Sequence, residues 1–255
     1  MDVRNQNMNA ITNSNSVPCR VLAHDPGLAE SIRPERRAQA IEDCVARELT
    51  LPAGRWRSGP AIGGLSGIGL LVLSGLLIRR VGIGGRFGAE LLGDGDLLRP
   101  WEGDEELPAL PMTTGWRVLE TVRVAVLDET FMSHLADYPE LAGRLVGRAV
   151  SRSRSLAVNM AIVHQARVDV RLHMLFWHLA GRWGRVGNDG VTLPLRLTHA
   201  VLSELVAARR PTVTSALTQL ARRQDVLARD SGWLLRGEPP GELARDLAPV
   251  STQTV

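Results

Sequence analysis

The sequence predicts an α+β protein with three successive parts: a β-rich first half, one long helix, and a helical unit that ends in a β-hairpin. Three observations support this prediction. Short apolar runs separated by glycine fill residues 70–127, apolar residues recur every seven positions after Pro139, and two short amphipathic helices follow Leu193. The chain has 255 residues, enough for one large or two modest domains with buried cores.

The composition excludes several classes of protein. An apolar fraction of 44% with 22% charged residues is typical of a globular chain. Cys19 and Cys44 are too few to staple a secreted scaffold or to hold a four-thiolate iron–sulfur cluster. The N-terminal stretch is rich in Asn, Ser and Thr and lacks the pattern of a signal peptide, so a disordered tail is expected there.

Charge is unevenly distributed along the chain, and all 30 basic residues are arginines. Residues 1–143 carry 14 Arg and 19 acidic residues, a net charge of −5. Residues 144–236 carry 15 Arg and 5 acidic residues, a net charge of +10, and residues 237–255 return the total to +3. A basic region of this kind fits a polyanionic partner, most simply nucleic acid. A set of solvated helix faces would give the same balance.

The first half is predicted to be rich in strands. A helix is expected over residues 34–49, where Ile41, Val45 and Leu49 recur at helical spacing. This region is followed by short apolar segments whose spacing predicts a sandwich or a small barrel able to hold one small ligand. The expected strands are residues 70–73, 76–78, 89–92 and 118–127, with turns at 84–85, 93–95 and 103–104.

The sequence offers no motif for catalysis or metal binding. Gly82–Phe87 resembles a dinucleotide-binding loop, but Phe87 occupies the third glycine position, and a hairpin turn is expected instead. The acidic run at 102–106 lies in a loop rich in Pro and Gly, and the six histidines lack metal-ligand spacing. No nucleophile elbow accompanies the serines. We therefore expect that the protein is not an enzyme and that it binds neither a metal ion nor a cofactor.

An uncharged stretch, residues 60–78, raises the alternative of a membrane-associated protein. It has 19 residues and is flanked by Arg57 and Arg79, but five glycines dilute it. A spanning helix needs about 20 strongly apolar residues. Two buried strands joined by glycine-rich turns are therefore expected, together with a cytoplasmic location.

A long helix is predicted from Pro139 to about Arg167, because no proline interrupts this stretch and apolar residues recur every seven positions. Such a repeat predicts a helix that pairs with its own copy in a two-fold dimer. Packing of the helix on its own domain is the alternative. The predicted dimer interface comprises Ala142, Val146, Ala149, Leu156, Met160 and Val163.

The most specific pattern follows Leu193. Thr198 is a good N-cap for a first helix, residues 207–209 form a short turn, and Arg210 opens a second helix with proline in its first turn. Residues 226–236 alternate around an Asp-Ser-Gly turn and predict a hairpin, and a further helix is expected over residues 170–184. Together these elements predict a winged helix-turn-helix unit, whose second helix enters the major groove of DNA.

The outward side chains of this unit are candidate DNA contacts. Arg210 is expected to bind guanine edges, the hydroxyl groups and Gln219 to contact phosphates or base edges, and the other arginines to contact phosphates. A three-helix core with solvated charges is the alternative. The predicted DNA-binding residues are Thr198, Arg209, Arg210, Thr212, Thr214, Ser215, Gln219, Arg222, Arg223 and Arg229.

These parts, in this order, resemble the Crp/Fnr family of bacterial transcription regulators. The resemblance covers about residues 20–237 and is most specific at residues 197–202 and 210–220, where a Thr-started helix precedes an Arg-x-Thr-Val-x-x-x-Leu-x-x-Leu pattern. It implies a cyclic-nucleotide-binding-like β-roll (cupin-like), a long dimerisation helix, and a winged helix-turn-helix that binds near-palindromic operator DNA. The expected divisions are a disordered tail at 1–19, a sensor domain at 20–138, a dimerisation helix at 139–168, a DNA-binding domain at 169–237 and a flexible tail at 238–255.

The chain departs from the family pattern at several positions. Ala207 stands where a turn glycine is expected, Arg209 replaces the usual capping Ser, and Pro211 replaces a Glu that reads a base. In the sensor, residues 95–100 read Gly-Asp-Leu-Leu-Arg-Pro instead of continuing into Gly-Glu, and residues 113–115 read Thr-Thr-Gly where an Arg-Ser pair is expected. The ribose-binding carboxylate and the phosphate-binding arginine are thus missing.

The resemblance with these departures implies a regulator that does not respond to cyclic AMP and whose effector, if any, is unidentified. The two cysteines also exclude an Fnr-type cluster. The alternative function is a small-molecule-binding β-barrel, with or without catalysis, whose C-terminal helices mediate only dimerisation.

Overall fold

A computed structural model describes residues 17–57, 67–100 and 111–240. The chain divides into two compact units, residues 1–156 and 157–255. Each unit combines helices with an antiparallel sheet, so the predicted α+β class is confirmed. The acidic run at 102–106 and the turn predicted at 103–104 lie outside the described residues.

The first unit begins with a short strand and three helices, continues through a series of strands, and ends in two helices. Its elements are β1 (Val17–Arg20), α1 (Val21–His24), α2 (Pro26–Ala29), α3 (Pro34–Asp43), β2 (Val45–Leu51), β3 (Gly54–Trp56), β4 (Gly67–Ile83), β5 (Arg86–Leu92), β6 (Leu97–Leu98), β7 (Met112–Asp128), α4 (Glu129–Asp137) and the start of α5 (Pro139–Val163).

Within the described residues, the strands of this unit form one antiparallel sheet in the order β1-β2-β7-β4-β5, with β3 beside β7 and β6 beside β4. Alternate residues of β4 enter two different cores. Leu71 packs with Leu127 and Phe131, whereas Leu70 and Val72 pack with the second core. Both faces of this part of the strand are therefore buried, which explains the uninterrupted apolar run from Leu70 to Leu73.

The two strands predicted at 70–73 and 76–78 are wrong, because β4 is one strand that runs through both. The register against β7 shifts between Val72 and Ser74 and again between Ser74 and Leu76. Gly75 lies between these shifts with φ +95, and a Cβ there would be 2.2 Å from the Thr121 carbonyl oxygen. Glycine thus permits a bulge instead of ending the strand.

The helix predicted over residues 34–49 is also too long. The helix α3 ends at Asp43, and Val45–Leu51 forms β2, which pairs with both β1 and β7. Spacing of Val45 and Leu49 fits a helix or a strand over so short a segment, and pairing with two neighbouring strands decides between them.

The described part of the uncharged stretch, residues 67–78, belongs to β4 and is not helical. No helix among the described residues is long and apolar enough to cross a membrane. Residues 60–66 lie outside the described residues. At the other end of β4, the predicted turn at Gly84–Gly85 is confirmed, and it connects β4 to β5.

The second unit contains the end of α5 and a compact arrangement of helices and short strands. Its further elements are α6 (Val168–Trp183), β8 (Arg185–Gly187), β9 (Gly190–Leu193), α7 (His199–Leu205), α8 (Arg210–Arg222), β10 (Val226–Arg229) and β11 (Gly232–Leu235). The strands form an antiparallel sheet in the order β10-β11-β9-β8. The β8–β9 hairpin was not predicted, because its strands are short and all three residues of β8 are exposed.

Candidate nucleic-acid interface

The helix-turn-helix pattern predicted from the sequence is present in the second unit. The Thr198 hydroxyl accepts a hydrogen bond from the Val201 amide at 3.3 Å, so the predicted N-cap of α7 is confirmed. Val201, Leu202 and Leu205 are buried on α7. The buried side chains of α8 are Val213, Ala216, Leu217 and Leu220, which leaves its remaining face to solvent.

The turn between these helices has the unfavourable features that the sequence predicts. Ala207 adopts a left-handed conformation with φ 49, which a β-carbon disfavours. Arg209 is the N-cap of α8, and its side chain makes no capping hydrogen bond. Arg171 stabilises the start of this turn, because its guanidinium donates a hydrogen bond to the Val206 carbonyl at the end of α7, at 3.2 Å.

All ten predicted DNA-binding residues are exposed. Eight of them lie on α8 or at its two ends, Thr198 precedes α7, and Arg229 ends β10. The opposite side of α8 is buried, so the helix presents its polar face outward as a unit. The exposed polar residues of α8 and its caps are Arg209, Arg210, Thr212, Thr214, Ser215, Thr218, Gln219, Arg222 and Arg223.

The hydroxyl groups on this face are oriented by their own helix. Thr214 donates to the Arg210 carbonyl at 3.1 Å and Ser215 to the Pro211 carbonyl at 3.2 Å. The Thr214 hydroxyl also lies 3.0 Å from Nδ1 of His199. Sequence reasoning missed His199, because only the packing of α7 against α8 brings residues 15 positions apart together.

Arg223 differs from the other predicted phosphate contacts, since its guanidinium is already bound within the protein. It donates to Asp225 at 2.8 Å and to the buried Asp169 of α6 at 3.2 Å. Arg167 also donates to Asp169, at 2.6 Å. Burial raises the pKa of Asp169, but the two guanidinium groups outweigh it and hold the pKa below its usual value.

The predicted wing is confirmed as the hairpin of β10 and β11, with Asp230 and Ser231 in its turn. Gly232 follows the turn at φ +145, and a Cβ there would be 2.1 Å from the Leu193 carbonyl oxygen of β9. Close approach of the strands therefore requires glycine. Arg229 is exposed next to the turn.

The predicted dimer interface lies along α5. Val146 and Met160 are exposed by 63% and 62%. Ala142 and Ala149 are also exposed, whereas Leu156 and Val163 are half-buried. In a helix these six positions are separated by steps of three, four and seven and so form one stripe.

In the first unit, the segment predicted to lack nucleotide-binding groups, residues 95–100, contains the end of a tight turn and the short strand β6. The Asp96 carboxylate accepts from the Gly93 amide at 2.8 Å, and the Asp96 carbonyl accepts from the Val72 amide at 2.9 Å. Asp96 thus stabilises its own turn. Thr113–Gly115 lies within β7, opposite Arg80–Gly82 of β4.

Comparison with known proteins gives a relative of similar sequence. No model of a protein family matches the chain. The CRP-like cAMP-activated global transcriptional regulator of Mycobacterium tuberculosis is 29% identical over 134 residues. The alignment covers 49% of this chain and 60% of the relative's own length.

Several solved structures share the fold. A CooA mutant from Carboxydothermus hydrogenoformans has a TM-score of 0.61 and 15% identity, covering 93% of this chain and 97% of that one. A cyclic nucleotide-binding domain containing protein from Listeria monocytogenes has a TM-score of 0.60 and 12% identity, covering 82% and 96%. A CRP-family transcriptional regulator from Thermus thermophilus has a TM-score of 0.51 and 17% identity, covering 73% and 90%. The resemblance predicted from the sequence is confirmed: this chain is similar in fold to solved structures that include a CRP-family regulator, and over 134 residues it is similar in sequence to a CRP-like regulator.

Proposed function

We propose that the protein is a sequence-specific DNA-binding transcription regulator that acts as a homodimer in the cytoplasm. The observation that supports this most directly is the outward face of α8, where Arg210 and a set of polar side chains are exposed together. A helix presented in this way fits the major groove. The relative described as a global transcriptional regulator points to the same function, and catalysis is no part of the proposal.

The contacts follow from the chemistry of the exposed side chains. Arg210, in the first turn of α8, binds O6 and N7 of guanine, and the neighbouring hydroxyl groups and Gln219 bind phosphates or base edges. Arg209, Arg222 and Arg229 neutralise phosphates. Arg223 fixes the end of α8 on Asp169 and is a positioning residue, because its guanidinium is bound to two carboxylates.

Each of the three parts of the chain has its own role in this proposal. Residues 20–138 form the sensor domain, 139–168 the dimerisation helix and 169–237 the DNA-binding domain. The apolar stripe of α5 pairs with the stripe of a second copy, which relates two recognition helices by a two-fold axis. The operator is then near-palindromic, with half-sites one helical turn apart, roughly 34–36 Å.

Selection of bound sequences from random duplex DNA tests the function as a whole. The full chain is expected to enrich a near-palindromic site, and the enriched site then serves for quantitative binding. Enrichment of a single unpaired half-site would contradict the dimeric mode of binding. Failure to enrich any sequence, with no mobility shift at physiological salt, would contradict the function.

Two arginine variants distinguish base recognition from phosphate contact. We expect Arg210→Ala to weaken the free energy of operator binding by about 1–3 kcal/mol and to relax base preference at one position of each half-site. Arg222→Ala should instead weaken binding to all sequences alike, and the slope of log affinity against log salt concentration should fall in magnitude by about one. Binding titrations on the selected operator and on single-base variants, each at several salt concentrations, measure both effects. If both variants bind like the parent, the assignment of α8 to the groove is wrong.

A further inference from the structure

Three arginines of α5 bind groups elsewhere in the first unit. Arg144, Arg148 and Arg152, here named the arginine row, are spaced four residues apart and therefore lie along one face of the helix. Their side chains become less exposed along the row, at 50%, 25% and 18%. The buried end of the row is where the charge most needs a partner.

Arg152 is held by the strongest set of contacts. Its Nε and Nη2 donate to the two carboxylate oxygens of Glu90 at 2.7 and 2.8 Å, and its Nη1 donates to the Leu97 carbonyl at 2.6 Å. The Glu90 side chain is 7% exposed. Such a two-pronged, buried pair fixes the guanidinium in both position and orientation.

Glu90 also forms an ion pair with a second arginine, Arg79 of β4. Nε of Arg79 lies 3.2 Å from its Oε2, and the Arg79 guanidinium lies 5.9 Å from the ring centre of Trp116. Burial lowers the pKa of Arg79 despite Glu90. Burial also opposes the charge of Arg152, but hydrogen bonds to Glu90 leave its pKa above the usual value. One buried carboxylate thus pairs with two partly buried guanidinium groups.

The other two arginines of the row bind α2, the residue before it and the turn before β6. Arg148 forms a two-pronged ion pair with Asp25, in which Nη2 lies 2.6 Å from Oδ1, and also donates to the Gly95 carbonyl at 3.3 Å. Arg144 donates to the Gly27 carbonyl at 2.8 Å. Gly95 has φ +84, and a Cβ there would be 2.9 Å from Nη1 of Arg148.

We propose that the arginine row fixes α5 on the first unit without a small-molecule effector, because Asp25 and Glu90 supply the counter-charges of Arg148 and Arg152 from within the chain, and Arg144 lies 3.9 Å from Glu30. The row also fixes the rotation of the helix about its axis. Val146 and Ala149 lie away from the row on the helix surface and remain exposed. The exposed stripe is therefore available for pairing before any ligand binds. Two consequences rest on the proposed function: that α5 pairs with a second copy, and that DNA binding needs no effector.

Hydrogen exchange on the full chain, followed by mass spectrometry, tests the row without DNA. In Glu90→Gln, the two guanidinium groups lose their counter-charge, and we expect amides of residues 148–156 to exchange about tenfold faster or more. Arg154→Gln is the matched control, because Arg154 is exposed on the same helix. Its exchange should equal that of the parent. Equal effects of both substitutions, or none from Glu90→Gln, would overturn the proposal.

A second variant keeps the test decisive if Glu90→Gln does not fold. Asp25→Asn removes the partner of Arg148, which lies nearer the surface, and should accelerate exchange of residues 144–152 several-fold. Unchanged exchange in Asp25→Asn would then overturn the proposal.

A further experiment separates the arginine row from the proposed function. It measures operator binding with and without cyclic AMP, added at about 1 mM so that even weak binding of the nucleotide would be visible. Equal affinity in the parent supports the arginine row, whereas a gain in affinity or slower exchange of α5 on addition of the nucleotide overturns it. One further outcome would support the arginine row and contradict the proposed function. In that outcome Glu90→Gln loses protection from hydrogen exchange, but neither the parent nor any variant binds DNA.

Discussion

At the scale of single residues, Ala207 shows a local cost that the fold accepts. Its φ of 49 lies in the left-handed region, where a β-carbon costs about 1–2 kcal/mol. The residue is exposed, so its methyl group gains little burial in return. The turn geometry must therefore be enforced by the packing of α7 and α8 on either side.

Ala207→Gly is expected to stabilise the protein by about 1 kcal/mol, because glycine removes the left-handed penalty and this gain exceeds its added entropy in the unfolded chain. Ala208→Gly is the matched control: Ala208 is the next residue but does not have positive φ, so the same change should destabilise by about 0.5–1 kcal/mol. Urea unfolding of both variants measures the difference. Stabilisation by Ala208→Gly equal to that by Ala207→Gly would contradict the explanation.

At the scale of elements, a buried carboxylate connects α6 to the end of α8. Asp169 lies in the first turn of α6, where negative charge is favourable, and it accepts hydrogen bonds from Arg167 and Arg223. Arg223 is the C-cap of α8. The end of α8 is therefore held by a residue, Asp169, that no sequence pattern of a helix-turn-helix would single out.

We expect Asp169→Asn to lower the free energy of unfolding by roughly 1–3 kcal/mol, with the value reduced by solvent around the two half-exposed arginines. Because the folded-state pKa of Asp169 is lowered, its contribution is fully present above the unfolded pKa of about 3.9 and is lost progressively as pH falls from there through the lower folded-state pKa. Urea unfolding of the parent and of Asp169→Asn, at neutral pH and in acid below that unfolded pKa, measures this effect. The difference in unfolding free energy between the two proteins should be smaller in acid. A gap independent of pH would contradict the ion-pair role.

Element by element, the sequence predicted most accurately where one local signal was sufficient. Thr198 as N-cap, the turn at Ala207 and the wing around Asp230 were all predicted from short-range chemistry. The errors at residues 34–49 and at Gly75 have a common cause, because the choice between helix and strand, or between turn and bulge, depended on pairing with β7. His199, Asp169 and Glu90 were missed for the same reason: they have partners distant in sequence.

At the scale of the whole molecule, the net charge of +3 conceals two different uses of arginine. Arg148 and Arg152 are held by internal carboxylates, whereas Arg210 and Arg222 lie exposed on α8. The charge balance of residues 144–236 alone therefore overstates the charge available to a nucleic acid. Burial and ion pairing in the structure identify which arginines are still available to bind a nucleic acid. Sequence composition cannot distinguish these arginines from the ones held by internal carboxylates.

The proposed dimer can be tested by a mutation in the apolar stripe of α5. Val146→Glu places a charge in the apolar stripe of α5, where a second copy would bury it, so the variant is expected to sediment as a monomer. Loss of the second half-site contact should weaken binding to the palindromic operator about 100-fold or more and leave binding to an isolated half-site unchanged.

Val186→Glu is the matched control for this variant, since Val186 is 89% exposed on β8 and lies outside the stripe. It should remain dimeric and bind the operator like the parent. Sedimentation velocity at several protein concentrations and titrations on full and half operators provide the measurements. A Val146→Glu protein that stays dimeric would show that α5 does not pair through this stripe, and the dimer contact would then have to lie on another surface of the chain.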